Sequence, residues 1–332
     1  MSEQSKSNNA ANLVALNGIH HSAWGHPADL LALNALKKVP VLDKVLQYIL
    51  GMTSERSIYL LHLASAVRTS PTQFARLHQL MREVSQVFGL EAENIPHVFV
   101  TRELIMGSGA MGWEKPFIVL THTEEQNLSD DELRAVLGRE LSHILCGHML
   151  YKSLLVFMDQ FSRFLVSIPI ANTAYSALMS ALREWERKSE LTCDRAGLLA
   201  CQKPDAFLRY VMKQAGGNNI NQMSVGDFIL QAEEYAQNDN MRDSIFKILN
   251  LLNQKHPFAV LRASEIINWI RSGEYDNILN GSYNRGENPI GKEFERAKES
   301  YKNSFSEHFT YNADTNTGGF NWEGFRNLFN KK

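Results

Sequence analysis

The chain has 332 residues, enough to bury a large core, and its length suits one large domain or two interlocked ones. Its 34 Lys and Arg residues nearly balance 36 Asp and Glu residues, which leaves a formal net charge of -2. This balance gives no electrostatic reason to expect nucleic acid or an acidic membrane surface as a partner, so any partner must be recognised by a specific site.

The cysteines and the N-terminus bear on the compartment. Cys146, Cys193 and Cys201 are an odd number of cysteines without CxxC spacing, which argues against a disulfide framework and favours a reducing compartment. The N-terminus has no cationic start followed by an apolar run. We therefore expect no signal peptide and a cytoplasmic location.

The N-terminal third predicts helices followed by a small sheet. We expect a flexible segment over 1–25, and from about Asp29 the spacing of apolar residues predicts a helical lobe. Two short runs, 97–104 and 116–121, are rich in β-branched and aromatic residues and flank a glycine-rich connection. They predict a small sheet near 97–121.

Helices dominate the remainder. Ser129 and Glu132 form a capping box that opens a helix predicted over 130–150, and a second long helix is predicted over 181–201. Further helical patterns follow. We predict a mainly α fold with a small β-sheet (α+β).

The main domain is predicted over 26–283, followed by a polar C-terminal tail over 284–332. The uncharged run over 164–182 has the length of a membrane span. Five Ser, Thr and Asn residues and Pro169 interrupt it, which favours a buried or interface helix pair. Peripheral membrane association stays open but is not favoured.

The stretch LGRELSHILCGH (137–148) differs by one letter from the His-Glu-x-x-His motif of a zinc-binding helix. Residues four apart lie on one face of a helix, so side chains at 139 and 143 point toward one spot and Glu140 reaches its edge. His143 is present, whereas Arg139 stands where the first ligand is expected.

A site of this kind takes a third protein ligand from a second helix. Glu190, in ELTCD, is the candidate, and Asp194 follows one turn later. From there, Asp194 could accept a hydrogen bond from the free nitrogen of a ligating histidine and fix the orientation of its ring.

The two motifs resemble those of the HtpX-like and CAAX-prenyl-protease group of zinc metalloproteases (gluzincins). The strand PFIVL before the motif helix and the later HPFAVLR, with His256, Pro257 and Arg262, occur in the same order as in that group. The resemblance runs from about His26 to Tyr283. It implies a zincin-like fold, with the motif helix packed on the ExxxD helix, and a zinc endopeptidase acting on peptides or unfolded proteins.

The resemblance also assigns roles to residues. It implies His143 and Glu190 as zinc ligands and Glu140 as the general base that deprotonates metal-bound water. Asp194 is then the carboxylate behind the ligands, and Arg262 is a polar catalytic residue close to the site.

Two departures from the family pattern bear on activity. Arg139 offers only donors and cannot ligate a metal. At about 4 Å and an effective dielectric near 20, its charge would repel a divalent ion by on the order of 8 kcal/mol. The stretch that usually carries an Asn-Ala pair for holding peptide substrate reads GSGAMGW here.

The alternative is a non-catalytic peptide-binding or regulatory pseudoprotease. In it, Arg139 forks onto Glu190, with Glu140 or Asp194 adjacent, and ties the two helices together in place of zinc.

New ligands could also rescue metal binding. Cys146 lies one turn beyond His143, Cys193 lies one turn beyond Glu190, and His148 is near the end of the helix. By contrast, His20, His21 and His26 show no paired carboxylates, and we interpret their clustering as chance.

Overall fold

The structure is a computed structural model that describes residues 13–39, 42, 45–46, 55–103, 108–165, 171–237 and 257–288. The predictions for His256 and for most of the C-terminal tail lie outside these residues.

The described part of the chain is mostly helical. Its helices, numbered along the chain, are α1 (Pro27–Leu36), α2 (Glu55–Ser65), α3 (Ala75–Val87), α4 (His122–Asn127), α5 (Asp130–Leu145), α6 (Met149–Leu165), α7 (Ala171–Cys201), α8 (Pro204–Gly216), α9 (Val225–Gln237), α10 (Ala259–Arg271) and α11 (Glu274–Leu279).

One four-stranded sheet accompanies them. Its strands are β1 (Val67–Arg68), β2 (Val98–Thr101), β3 (Gly109–Met111) and β4 (Phe117–Thr121), in the order β1-β2-β4-β3. The predicted mainly α fold with a small sheet is confirmed.

Strand β3 lies at the edge of the sheet, within the stretch predicted as a loose connection. β2 pairs with β4 in parallel, and β3 pairs with β4 antiparallel with Ala110 opposite Ile118. Glycines weaken the sequence pattern of a strand, so the signal for β3 was weak. This strand contacts α5 and α6, which places the sheet edge beside the motif helix.

The motif helix α5 begins as predicted and ends earlier than predicted. The Ser129 hydroxyl accepts from the backbone N–H of Glu132, and the Glu132 side chain accepts from the Ser129 N–H, so the capping box is present. Gly147 has a positive φ of 72°, a conformation that commonly ends helices. The predicted helix over 130–150 is therefore two helices.

After this break the chain turns sharply into α6. α5 and the first part of α6 (Met149–Asp159) are bent by 98° relative to each other. Within the described residues, no single helix has the length and apolar composition of a membrane span, whereas this bent pair has them together. The prediction that 164–182 does not cross a membrane stays a prediction, since 166–170 lie outside the description.

Helices α5 and α7 pack closely because glycines face each other across the contact. A Cβ on Gly138 would lie 2.2 Å from the Cβ of Ala200, and one on Gly197 would lie 2.8 Å from the carbonyl oxygen of Ala135. The helix predicted over 181–201 starts ten residues earlier, at Ala171. The ELTCD motif thus lies inside a long helix held against α5.

The chain ends deviate from the predicted boundaries. Leu16, Ile19 and Trp24 are buried in the main core, so the flexible segment predicted over 1–25 is wrong for residues 13–25. Apolar side chains within the polar start drive this packing. The backbone N–H of His20 donates to the carbonyl of Asn284 at 2.9 Å, so the first residues of the predicted tail are packed as well.

Candidate metal and peptide site

Helices α5 and α7 bring the two sequence motifs together. The His143 Nε2 atom lies 3.2 Å from Glu190 Oε1, and both side chains are buried. Glu140 lies on the same helix as His143 and is also buried. The structure therefore places these three predicted site residues in one region between the sheet edge and α7.

Arg139 occupies the place of the first ligand and is fully engaged. Its Nη2 donates to Glu190 Oε2, its Nε donates to Asp194 Oδ1 at 2.6 Å, and its Nη1 donates to the hydroxyl of Tyr210 at 2.6 Å. The side chain is 4% exposed. Burial opposes its charge, but Tyr210, Asp194 and Glu190 hold its pKa well above the ordinary arginine value.

Asp194 has arginine partners instead of the expected histidine. Arg262, on α10, donates from Nε to Oδ2 at 2.8 Å and from Nη2 to Oδ1 at 2.7 Å, which is a two-point fork. The sequence-based role of Asp194 behind a ligating histidine is therefore wrong. Arg262 lies behind Asp194, and its described contacts position that carboxylate and do not reach Glu140.

Glu140 faces the edge strand. Its Oε2 accepts the backbone N–H of Ala110 at 2.7 Å, on the outer side of β3. The approach is so close that a Cβ on Gly109, whose φ is +106°, would lie 2.7 Å from the same oxygen. Glycine is required there because both the space and the backbone conformation exclude a side chain.

Lys152 adds a positive charge to this region. Burial raises the pKa of Glu140, but the charges of Lys152, His143 and Arg139 together outweigh it and lower that pKa. Conversely, Glu140 and Glu190 raise the pKa of Lys152 against the effect of its burial. Burial and the charge of Lys152 lower the pKa of His143 to about 4, so this imidazole is neutral at neutral pH.

The break after α5 folds His148 back onto His143. The backbone N–H of His148 donates to the carbonyl of His143 at 3.0 Å, and the two Nδ1 atoms lie 3.1 Å apart. The other ring nitrogen of His148 lies 3.2 Å from Asp29 Oδ2. Thr192 donates its hydroxyl to the same Asp29 oxygen at 2.7 Å.

Cys193 completes a group of possible metal ligands. One ligand atom each from His143, His148 and Cys193 lie within 4.8 Å of one another, and all three residues are buried. Burial raises the pKa of the Cys193 thiol well above its ordinary value, which favours the protonated thiol at neutral pH. Cys146, which the sequence also offered, contacts Ser142 instead, with its sulfur 3.5 Å from the hydroxyl oxygen.

Sequence reasoning missed Tyr210, Asp29 and Lys152. Tyr210 lies on α8 and Asp29 on α1, outside both motifs, and a lone tyrosine or aspartate carries no spacing signal. Lys152 follows the break that the sequence did not predict. Of the N-terminal histidines, His26 accepts the Ala28 N–H at the start of α1, and its Nε2 lies 3.2 Å from Glu265 Oε2, so the expectation of no paired carboxylate is wrong for His26.

A zinc ion at the family position does not fit this arrangement. The position expected for the first ligand holds a guanidinium, which has no lone pair to offer. Glu190, the expected third ligand, already accepts from Arg139 and faces His143. The carboxylates of Glu190 and Asp194, which would balance the charge of an ion, balance the charge of Arg139 instead.

Comparisons with known proteins identify the family. The profile of peptidase family M48 matches residues 71–270. The chain is 31% identical over 260 residues to an Arabidopsis thaliana protein, plastoglobule-localized metallopeptidase 48, chloroplastic, covering 76% of this chain and 74% of that relative. No solved structure matches the chain significantly. The chain therefore belongs to peptidase family M48, and the metallopeptidase class of hydrolases predicted from its motifs is confirmed at the level of the family.

Proposed function

We propose that this chain is a peptide-binding member of the M48 family in which Arg139 replaces the metal, so that it holds extended peptide without hydrolysing it. The observation that carries the proposal is the buried guanidinium of Arg139, bound to Glu190, Asp194 and Tyr210. These bonds link α5 to α7 and α8. An ion at the family position would link α5 to α7.

The peptide cleft is supported by the edge of the sheet at β3. Among the described residues, β3 pairs with β4 alone, and the N–H of Ala110 points away from β4 and donates to Glu140, so an added peptide would take this N–H over from the carboxylate. An extended peptide can add to such an edge through backbone hydrogen bonds. Unfolded protein segments, which present free backbone N–H and C=O groups, are the substrate class that fits.

A binding assay paired with a cleavage assay tests the proposal. We expect fluorescently labelled, permanently unfolded casein to bind the purified chain and to remain intact, with or without added zinc. Ala110→Pro removes the N–H that an added peptide would take over from Glu140 and should weaken binding at least about tenfold, a loss of about 1.4 kcal/mol. Gly226→Ala, on α9, is the control. Chelator-sensitive cleavage by the unmodified chain, or no binding, would overturn the proposal.

The second candidate is the HtpX-like zinc endopeptidase implied by the sequence, with Glu140 as general base. The observation that favours it is the retention of Glu140, His143 and Glu190 together in a member of a metallopeptidase family. In this candidate, Arg139 is the one residue that prevents metal binding.

Restoring the histidine separates the two candidates. If the cleft is otherwise intact, Arg139→His cleaves casein in a chelator-sensitive way, while Arg139→His with Glu140→Gln does not cleave it. Glutamine cannot accept a proton from metal-bound water, so the double variant isolates the base. If Arg139→His does not cleave casein, the endopeptidase candidate fails.

The cytoplasmic location remains a proposal, and the cysteine pattern of the sequence supports it. The Arabidopsis relative is named for plastoglobules, a different location. We propose that the chain is recovered from cells in the fraction released by high salt. Recovery only in detergent extracts would contradict both the location and the prediction for 164–182.

A further inference from the structure

We propose that His143, His148 and Cys193 form a metal site for a borderline-soft divalent ion such as Zn²⁺, separate from the position that Arg139 fills. The site goes beyond the peptide-binding function and does not depend on it. His143 lies on α5, His148 lies in the break that follows α5, and Cys193 lies on α7.

The three side chains bring one ligand atom each into a small space. The Nδ1 atoms of His143 and His148 are 3.1 Å apart. Two imidazoles on a tetrahedral ion, each with a metal–nitrogen distance near 2.0 Å, hold their nitrogens about 3.3 Å apart. The ligand atom of Cys193 lies within 4.8 Å of both histidine ligand atoms.

The hydrogen bonds of the two rings leave a place for a cation between them. His143 Nε2 faces Glu190 and His148 Nε2 faces Asp29, each at 3.2 Å from a carboxylate oxygen. If each Nε2 donates its proton to its carboxylate, both Nδ1 lone pairs point toward each other. If one ring is neutral and carries its proton on Nδ1 instead, its Nε2 has only a lone pair. That lone pair then faces the lone pairs of a carboxylate oxygen, which is unfavourable. One additional proton between the two Nδ1 atoms, or a cation bound by both, removes the conflict.

The carboxylates also supply the surroundings that metal-binding histidines use. A ligating histidine usually donates its second N–H to a carboxylate, which fixes the tautomer and the ring orientation. Glu190 has this position for His143, and Asp29 has it for His148. The Thr192 hydroxyl bonded to Asp29 orients that carboxylate in turn.

Cys193 selects the class of ion. Thiolate and imidazole ligands together suit zinc and similar ions, whereas Mg²⁺ and Ca²⁺ require oxygen ligands. On binding, the Cys193 thiol releases its proton to solvent and the sulfur forms the metal bond. The charges of Glu190 and Asp29 favour a cation here, while those of Arg139 and Lys152 oppose it.

This site differs from the site of the family pattern although both include His143. In the proposed site, His143 binds through Nδ1 and its Nε2 stays on Glu190. Arg139, Asp194 and Arg262 keep their ion pairs and are not displaced. The ion would join α7 to the break at 146–148, a segment that the guanidinium of Arg139 does not contact.

Metal titration of the full chain tests the proposal. After treatment with a chelator and its removal, we expect about one Zn²⁺ or Co²⁺ to bind per chain, with a sulfur-to-cobalt charge-transfer band for Co²⁺. Cys193→Ser should abolish that band and weaken binding more than about 100-fold. Asp29→Asn should weaken it about 10- to 100-fold by removing the carboxylate behind His148.

Cys201→Ser is the matched control, because Cys201 is an equally buried cysteine at the end of the same helix. It should keep the band and the affinity. Circular dichroism and thermal unfolding without metal establish that each variant is folded, and His148→Gln replaces Cys193→Ser if that variant is not. Binding of less than about 0.1 equivalent, a cobalt complex without a sulfur band, or equal losses in Cys193→Ser and Cys201→Ser would overturn the site.

Discussion

At the scale of single residues, Arg139 balances two buried carboxylates that have little contact with water. Glu190 and Asp194 are 2% and 1% exposed, and each accepts a hydrogen bond from the guanidinium. Such a group is a weak contributor to stability when compared with a well-packed apolar core, yet removing one partner leaves buried charge without compensation. Removing Arg139 should therefore lower the free energy of unfolding by more than the net stabilisation that its ion pairs provide.

We expect Arg139→Met to lower the free energy of unfolding by about 3 to 5 kcal/mol, because it keeps the volume of the side chain and removes the charge. Urea unfolding at neutral pH measures the effect. Arg134→Met is the control, since Arg134 is equally buried on the same helix. Its partners Glu83 and Asp131 are 17% and 24% exposed, so water can take over and the loss should be smaller. Equal losses would contradict this account.

The sequence predicted the proximity of the site residues more accurately than it predicted their individual roles. The spacing of Glu140 and His143, and the ELTCD motif with Glu190, are local features of helices, and helical geometry made their convergence predictable. Asp194 was assigned a histidine partner because the sequence does not show the position of Arg262. Its two arginine partners come from α5 and α10, and only the tertiary fold brings them together.

At the scale of elements, the close contact of α5 and α7 sets the geometry of the site. Gly138 and Gly197 let the two backbones approach at the level of Arg139, whose Cγ would lie 2.6 Å from a Cβ on Gly197. A side chain at either glycine would push the helices apart. It would thereby separate Arg139 from Glu190.

We expect Gly197→Ala to lower the free energy of unfolding by about 1 to 3 kcal/mol, since overpacking forces the backbones to shift. The loss exceeds the gain of about 0.5 to 1 kcal/mol that alanine normally gives inside a helix. Gly226→Ala measures that gain alone, because the nearest atom to its added Cβ is the Ser224 hydroxyl at 3.7 Å. Chemical unfolding of both variants checks the difference, and a stabilised Gly197→Ala would show that the helices tolerate separation.

Elements with strong local signals were predictable and their interruptions were not. The capping box fixed the start of α5, and the apolar pattern indicated a helix through the motif. The end at Gly147 was missed because apolar spacing resumes in α6 and hides the break. That break brings both His148 and Lys152 to the site, so the missed element boundary also accounts for missed site residues.

At the scale of the whole molecule, the N-terminal segment closes the fold by pairing with the residues after α11. Ile19 forms an isolated bridge with Arg285, and the His21 N–H donates to the Asn288 side chain at 2.7 Å. The indole of Trp24 donates to the Ser142 hydroxyl at 3.0 Å on the motif helix. The two ends of the described chain thus meet next to the element that carries the site, which explains why residues 13–25 are ordered.

His21 makes this closure sensitive to acid. Burial, followed by the neighbouring charge of His20, lowers the pKa of His21 from 6.5 to about 4. Among the described residues, its Nδ1 is buried without a hydrogen-bond partner, so the folded state disfavours a proton there. Between these two pH values the unfolded chain binds a proton that the folded chain does not. The stability that depends on neutral His21 is therefore complete above about pH 6.5 and is lost as the pH falls toward 4.

We expect His21→Gln to retain more of its neutral-pH stability at pH 4.5 than the unmodified chain does, by about 1 to 2 kcal/mol after allowance for solvent screening of a half-buried ring. Urea unfolding at pH 7 and pH 4.5 gives the difference, and subtracting the unmodified chain removes the contribution of every other titrating group. His78→Gln, a half-buried histidine on α3 away from the two chain ends, controls for the loss of one imidazole. If His21→Gln and the unmodified chain lose the same free energy between the two pH values, protonation of His21 does not cause the loss of stability in acid.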